Sequence, residues 1–140
     1  MTALLVVDAA NVVGSVPDGW WRDRRGAAVR LRDRLAADAA AGGPALPVAP
    51  AEVVLVVEGA ARGVESVPGV RVEAAEGSGD DRIVELVAGR DPGRRCVVVT
   101  ADRELRERVR ALGAEVLGPR SVRRGNGEKP APGQDRDGIG

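Results

Sequence analysis

The chain has 140 residues, the size of one domain, and its 21 lysines and arginines balance its 21 aspartates and glutamates. The net charge of zero therefore gives no argument for a polyanionic partner. Histidine is absent, which excludes Ser-His-Asp triads, Cys-His dyads and histidine-ligated zinc.

The single cysteine, Cys96, opens an apolar run, so we expect a buried small hydrophobic side chain rather than a disulfide. The first residues lack the basic region of a signal peptide, and no apolar stretch approaches membrane-spanning length. Together these features predict a cytoplasmic protein that makes no use of a membrane.

In chain order, the pattern begins with a strand at residues 4–7, a loop at 9–19 with two glycines and Pro17, and a helix at 21–40. A strand at 53–57 and a strand at 70–74 follow. A helix at 80–89, a strand at 97–99, a helix at 102–112 and a short strand at 114–117 complete the pattern. From residue 118 onward, apolar residues almost vanish.

Strands that alternate with helices predict an α/β fold with a mostly parallel sheet. We predict a three-layer sandwich with the strand order 3-2-1-4-5, which places the first and fourth strands side by side. Residues 1–119 form the predicted domain, and residues 120–140, rich in glycine, proline and charge, form a predicted disordered tail.

Three of the apolar runs end in an acidic residue, namely Asp8, Glu58 and Asp102, and the adjacent Asp80 and Asp81 open a predicted helix. The carboxyl ends of parallel strands share one edge of a sheet, where open α/β sheets bind their ligands. Carboxylates gathered there repel one another, and a divalent cation such as Mg²⁺ or Mn²⁺ relieves that repulsion.

Each acid also has an alternative structural interpretation. Asp8 could form an Asx turn with the following loop, and Asp102 could cap the last helix. Ser78 and Asp81 match a capping box, and Glu58 could be a solvated acid at the end of a strand. The predicted placement of these acids on one edge favours a shared site.

A basic segment begins the first long helix. Arg22, Arg24 and Arg25 could contact a phosphate backbone, although an ordinary solvated helix face carries the same residues. Trp20 and Trp21 could stack on bases, or could anchor the start of the helix by packing.

Three segments resemble the NYN domains of the PIN-like nuclease superfamily, particularly the YacP-like branch. They are LLVVDAANVVGS at residues 4–15, EGSGDDRIVELV at 76–87 and VVVTADRELRERVRALGAEVLGP at 97–119. The resemblance implies a PIN-like α/β/α sandwich and metal-dependent cleavage of RNA.

The resemblance also implies a metal site. The family's acid after the first strand matches Asp8, and its acid after the fourth strand matches Asp102. Its middle acid matches either Asp80 or Asp81, and this choice stays open. Its asparagine and hydroxyl positions match Asn11 and Thr100. Many relatives hold a further acid in an early helix, for which none of the three candidates here is a clear match: Asp23, Asp33 and Asp38.

The resulting hypothesis is a Mg²⁺- or Mn²⁺-dependent endoribonuclease whose oligomeric state the sequence leaves open. A second hypothesis is an inactive PIN-like module that binds RNA or acts as a scaffold. A toxin-type PIN nuclease would need an antitoxin partner, for which the sequence gives no sign. A phosphoacceptor receiver domain is rejected, because the aspartate after its third strand and the lysine after its fifth have no counterpart; the only lysine is Lys129.

Overall fold

Five parallel strands form one sheet in the order β3-β2-β1-β4-β5, as predicted. The structure is a computed structural model that describes residues 2–16 and 19–123. The strands are β1 (Ala3–Asp8), β2 (Ala51–Val57), β3 (Val70–Ala74), β4 (Cys96–Val99) and β5 (Glu115–Leu117). The helices are α1 (Ala9–Gly14), α2 (Arg24–Ala40), α3 (Gly79–Ala88), α4 (Arg103–Ala111) and α5 (Arg120–Arg123).

Helices cover both faces of the sheet, and the side chains of each strand alternate between them. On β1, Leu5 and Val7 pack in the same apolar cluster as Leu31 of α2. Leu4 and Val6 point the other way and join a second cluster that includes residues of α3 and α4. Burial on both faces explains why the strands are continuous apolar runs. Cys96 is buried in the second cluster, as expected.

The segment after β1 differs from the prediction. Residues 9–14 form helix α1 rather than a loop, and Asp8 is its N-cap. Trp20–Arg22 is a turn of 3-10 helix, and α2 begins only at Arg24, where the Asp23 carboxylate accepts a hydrogen bond from the Gly26 N–H. The predicted loop was wrong because a six-residue helix is too short to show an apolar periodicity.

The described chain continues in regular structure past residue 119, where the sequence places the end of the domain. Helix α5 lies in the stretch predicted to be disordered, and its Val122 is buried in the same cluster as Val12. Residues 124–140 of the predicted tail lie outside the described residues. In the part of the chain that the structure describes, no helix has both the length and the apolar character needed to cross a membrane.

Substitution of Val122 tests whether α5 belongs to the domain. We expect Val122→Ala to lower the free energy of unfolding by about 1–3 kcal/mol, because it removes buried apolar groups from a packed cluster. Urea unfolding monitored by circular dichroism measures this change, with Arg120→Ala on the exposed side of the same helix as the control. Equal stability of Val122→Ala and the wild type would indicate that α5 is not part of the domain and that the domain ends at residue 119, as the sequence predicts.

Candidate active site

The alternation of the three central strands continues into the polar residues at their carboxyl ends. Asp8, Glu58 and Thr100 each lie two residues beyond a valine of the second apolar cluster, on β1, β2 and β4 respectively: Val6, Val56 and Val98. Each therefore projects toward the face of the sheet that α3 and α4 cover. The structure in this way brings three polar side chains to one edge from strands far apart in sequence.

Asp8 is the buried centre of this edge. Its side chain lies between β1 and β4, where Oδ2 accepts a hydrogen bond from Thr100 Oγ1 at 2.9 Å. Its Oδ1 accepts from the Asn11 N–H, three residues on, at 3.4 Å, which is an N-cap contact for α1 rather than the Asx turn considered as the alternative. Asp8 and Thr100 are 4% and 0% exposed. A buried carboxylate held at both oxygens is a fixed group rather than a solvated surface acid.

Thr100 and Asn11 connect Asp8 to the loop that carries Asp102. The Thr100 hydroxyl accepts from the Asp102 N–H at 3.1 Å while it donates to Asp8. The Asn11 side chain accepts from the Ala101 N–H at 2.8 Å. The Asp102 carboxylate, in turn, caps α4 by accepting from the Leu105 N–H at 3.0 Å. The chain after β4 is thus tied to the chain after β1 by two side chains.

Glu58 takes the role that the sequence assigned to Ser78. Ser78 makes no capping hydrogen bond with its side chain, and the Gly79 N–H donates instead to Glu58 Oε2 at 3.0 Å. A Cβ atom at Gly79 would lie 2.6 Å from that oxygen, so a larger residue at this position would displace the Glu58 carboxylate from the contact. Glu58 therefore fixes the start of α3 against the end of β2, and with it the position of Asp80.

Burial and the charges of neighbouring acids raise the pKa values of Asp8 and Asp80. Burial is the largest cause that raises the pKa of Asp8 to about 6, and the charges of Asp80 and Glu58 add to it, against hydrogen bonds that lower it. Burial also raises the pKa of Asp80, with further contributions from Asp102 and Glu58. Such a shift of mutually repelling acids in a cleft is typical of a functional site.

Asp81 points away from this group of acids. Its side chain is 72% exposed and forms an ion pair with Arg108 at 3.2 Å. It also lines a separate surface cavity beside Arg82 and Glu85. The structure therefore separates the two adjacent acids that the sequence left as alternatives, and it places Asp80 on the side of Asp8.

The donor types at this edge fit a divalent cation that keeps part of its water. Within the described ranges, no three carboxylate or thiol side chains stand close enough together to hold a metal ion. Mg²⁺ is usually held by one or two carboxylates and several waters, a mode that needs no such enclosure. The residues present thus fit a hydrated cation and do not form a closed metal cage.

The predicted RNA-contacting arginines lie beside the acids rather than among them. Arg22, Arg24 and Arg25 are exposed at the start of α2. The Arg24 guanidinium lies 5.4 Å from the centre of the Trp20 ring, and that of Arg22 lies 5.9 Å from the centre of the Trp21 ring. Arg25 donates to the Gly63 carbonyl at 3.4 Å. These contacts leave the basic segment exposed at one end of the site.

No protein-family model matches the sequence, and no curated protein sequence matches it. Among solved structures, that of Rae1 (YacP) from Bacillus subtilis has a TM-score of 0.69 to the chain, with 20% sequence identity over 89% of this chain and 72% of that one. The W164L mutant of the same protein has a TM-score of 0.65, with 20% identity over 88% and 74% of the two chains. The chain therefore shares the fold of Rae1 (YacP).

Substitution of Asp8 tests whether burial and the neighbouring acids raise the pKa of its carboxyl group. Because its pKa of about 6 in the folded protein exceeds the ordinary 3.8, Asp8 favours folding below pH 4, and this contribution is lost as the pH rises through 6. We expect the stability of Asp8→Asn relative to the wild type to be about 1–3 kcal/mol higher at pH 7.5 than at pH 4, because the variant has no carboxyl group to titrate.

Urea unfolding as a function of pH measures this effect. Asp23→Asn is the matched control, because Asp23 is an exposed N-cap and asparagine caps helices as well as aspartate does. A difference in stability between Asp8→Asn and the wild type that stays constant from pH 4 to pH 7.5 would contradict the raised pKa of Asp8.

Thr100 supplies a second prediction. Thr100→Val keeps the shape but leaves Asp8 Oδ2 and the Asp102 N–H without a hydrogen-bond partner, so we expect a loss of about 1–3 kcal/mol in stability. The pKa of Asp8 should rise further, because the lost hydrogen bond lowers it. Carbon-13 NMR titration of the aspartate carboxyls measures the shift, and Thr100→Ser should restore both properties. Indistinguishable valine and serine variants would contradict this role.

Proposed function

We propose that the protein is a metal-dependent ribonuclease that hydrolyses RNA phosphodiester bonds. The observation that carries this proposal is the group of carboxylates at the carboxyl edge, where burial, together with the charges of neighbouring acids, raises the pKa values of Asp8 and Asp80. A fold gains nothing in stability from acids that repel one another, and a cation that binds between them removes the repulsion.

The resemblance in sequence and the shared fold support the same assignment. The three segments that resemble YacP-like NYN domains include the polar residues at the end of β1 and at the junction of β4 and α4. The protein with the shared fold is Rae1 (YacP) of Bacillus subtilis. We therefore place the chain in the YacP-like branch of the PIN-like nucleases, with RNA as the substrate and a cytoplasmic location.

In this proposal Asp8, Asp80 and Asp102 would hold a hydrated Mg²⁺ or Mn²⁺ ion, with one or two of these carboxylates binding the metal and the remainder reaching it through its water. The bound cation would supply an acidified water and neutralise charge on the phosphate. Thr100 and Asn11 are positioning residues, because the first orients Asp8 and the second joins the loop before Asp102 to α1. The absence of histidine is consistent with hydrolysis that needs no imidazole base.

The two adjacent acids of α3 provide the sharpest test. We expect Asp80→Asn and Asp102→Asn each to lower the rate of RNA cleavage by at least about 100-fold, because several kcal/mol of charge stabilisation is lost. Asp81→Asn is the matched control and should cleave at the wild-type rate, since it removes only an exposed ion pair. Cleavage of labelled single-stranded RNA with Mn²⁺, and with EDTA as the blank, measures these rates.

Two outcomes would contradict the proposal. Cleavage that survives EDTA or the substitution of Asp80 would exclude the metal-dependent site. RNA binding with no turnover under Mn²⁺ would favour the alternative of an inactive RNA-binding module. The specific observation behind that alternative is that no three described acids enclose a cation.

A further inference from the structure

A small cavity adjoins the carboxyl edge, between α1, Trp20, the start of α2 and the end of β2. Its volume is about 170 Å³, and its walls include Ala9 and Ala10 of α1, Trp20, Arg24 and Glu58. Pockets for drug-sized ligands measure roughly 300–1,000 Å³. The cavity is thus too small for a complete nucleotide, and its size suits a single flat ring.

Two side chains at the cavity, those of Trp20 and Arg24, are of the types that stack on unpaired bases. Trp20 presents an indole ring, and the Arg24 guanidinium lies 5.4 Å from the centre of that ring. Indole rings and guanidinium planes are the usual stacking partners of bases in single-stranded nucleic acids. The remaining walls include small apolar side chains such as Ala9 and Ala10, which leave the space open rather than fill it.

The cavity also lies next to the acids of the candidate active site. Ala9 lines the cavity and directly follows Asp8, whose Cα atom is about 3.8 Å away along the chain. Glu58 lines the cavity too, and its charge contributes to the raised pKa of Asp8. A strand with one base in the cavity would therefore run across the carboxyl edge, with an adjacent phosphate at the acids.

We propose that this cavity holds one unpaired nucleobase of the RNA and so restricts the protein to single-stranded substrates. The proposal rests on the proposed function only in taking RNA as the ligand. Because stacking on an aromatic ring accepts any base, the cavity selects unpaired over paired RNA rather than one sequence over another. The exposed arginines beside it add attraction for the phosphate backbone.

The test measures binding separately from cleavage. The full chain is titrated, in EDTA, into a fluorescein-labelled single-stranded oligoribonucleotide of mixed sequence and into the duplex of the same sequence, and fluorescence anisotropy is recorded. We expect Trp20→Ala to raise the Kd for the single strand by about 5- to 100-fold, the range that the loss of one base stack produces. The duplex should bind more weakly than the single strand, with little dependence on Trp20.

The neighbouring tryptophan is the matched control. Trp21 is 56% exposed, lies under Arg22 in the same kind of cation–π contact and does not line the cavity. Trp21→Ala should therefore leave the Kd within about twofold of the wild type. A second variant, Ala10→Leu, fills the cavity from an exposed helix position and should weaken binding as Trp20→Ala does. If Trp20→Ala does not fold, the Kd of Ala10→Leu provides the test instead.

Three results would overturn the proposal: no binding of single-stranded RNA by the wild type, wild-type affinity in Ala10→Leu, or a larger loss in Trp21→Ala than in Trp20→Ala. The last two are distinct from failure of the nuclease. Binding that depends on Trp20 without cleavage under Mn²⁺ would refute only the nuclease. Cleavage that proceeds normally in a folded Trp20→Ala protein would refute only the base site.

Discussion

The hydrogen bond between Thr100 Oγ1 and the buried Asp8 carboxylate is the contact on which the rest of the site depends. It joins the ends of β1 and β4, the two strands between which the direction of the sheet connections reverses. The same hydroxyl receives the Asp102 N–H, so one side chain sets the position of two acids. The side chain of one threonine therefore fixes the positions of Asp8 and Asp102 relative to each other.

This arrangement opposes stability, because burial and neighbouring charges both favour the protonated form of Asp8. The protein offsets part of that cost with capping contacts: Asp8 begins α1, Asp102 begins α4 and Glu58 holds the N-terminus of α3. Each of these acids therefore faces a helix N-terminus, where a negative charge is favourable. The structural and functional interpretations of these residues are compatible, since the cap fixes the carboxylate that the site would use.

Much of the fold follows from the sequence, since the sheet order and all five strands were predicted to within a few residues. The contacts that shape the site were not. The pairing of Glu58 with Gly79 joins residues 21 positions apart, and local capping rules favoured Ser78 instead. Helix α1 was missed because its six residues are too few to show an apolar periodicity, and because its N-cap, Asp8, was interpreted as part of an Asx turn.

Two periodicities in the sequence indicate which of the acids lie on the same side of the sheet. Asp8 and Glu58 each lie two residues beyond a side chain that faces α3, so alternation alone assigns them to one side of the sheet. Asp80 lies three residues before Ile83 and seven before Val87, which share the buried face of α3, whereas Asp81 falls on another face. The inward acid of the pair is therefore set by the residues that pack the helix. The packing of the core thus sets the direction in which the acidic side chains point, although the core residues take no part in the chemistry of the acids.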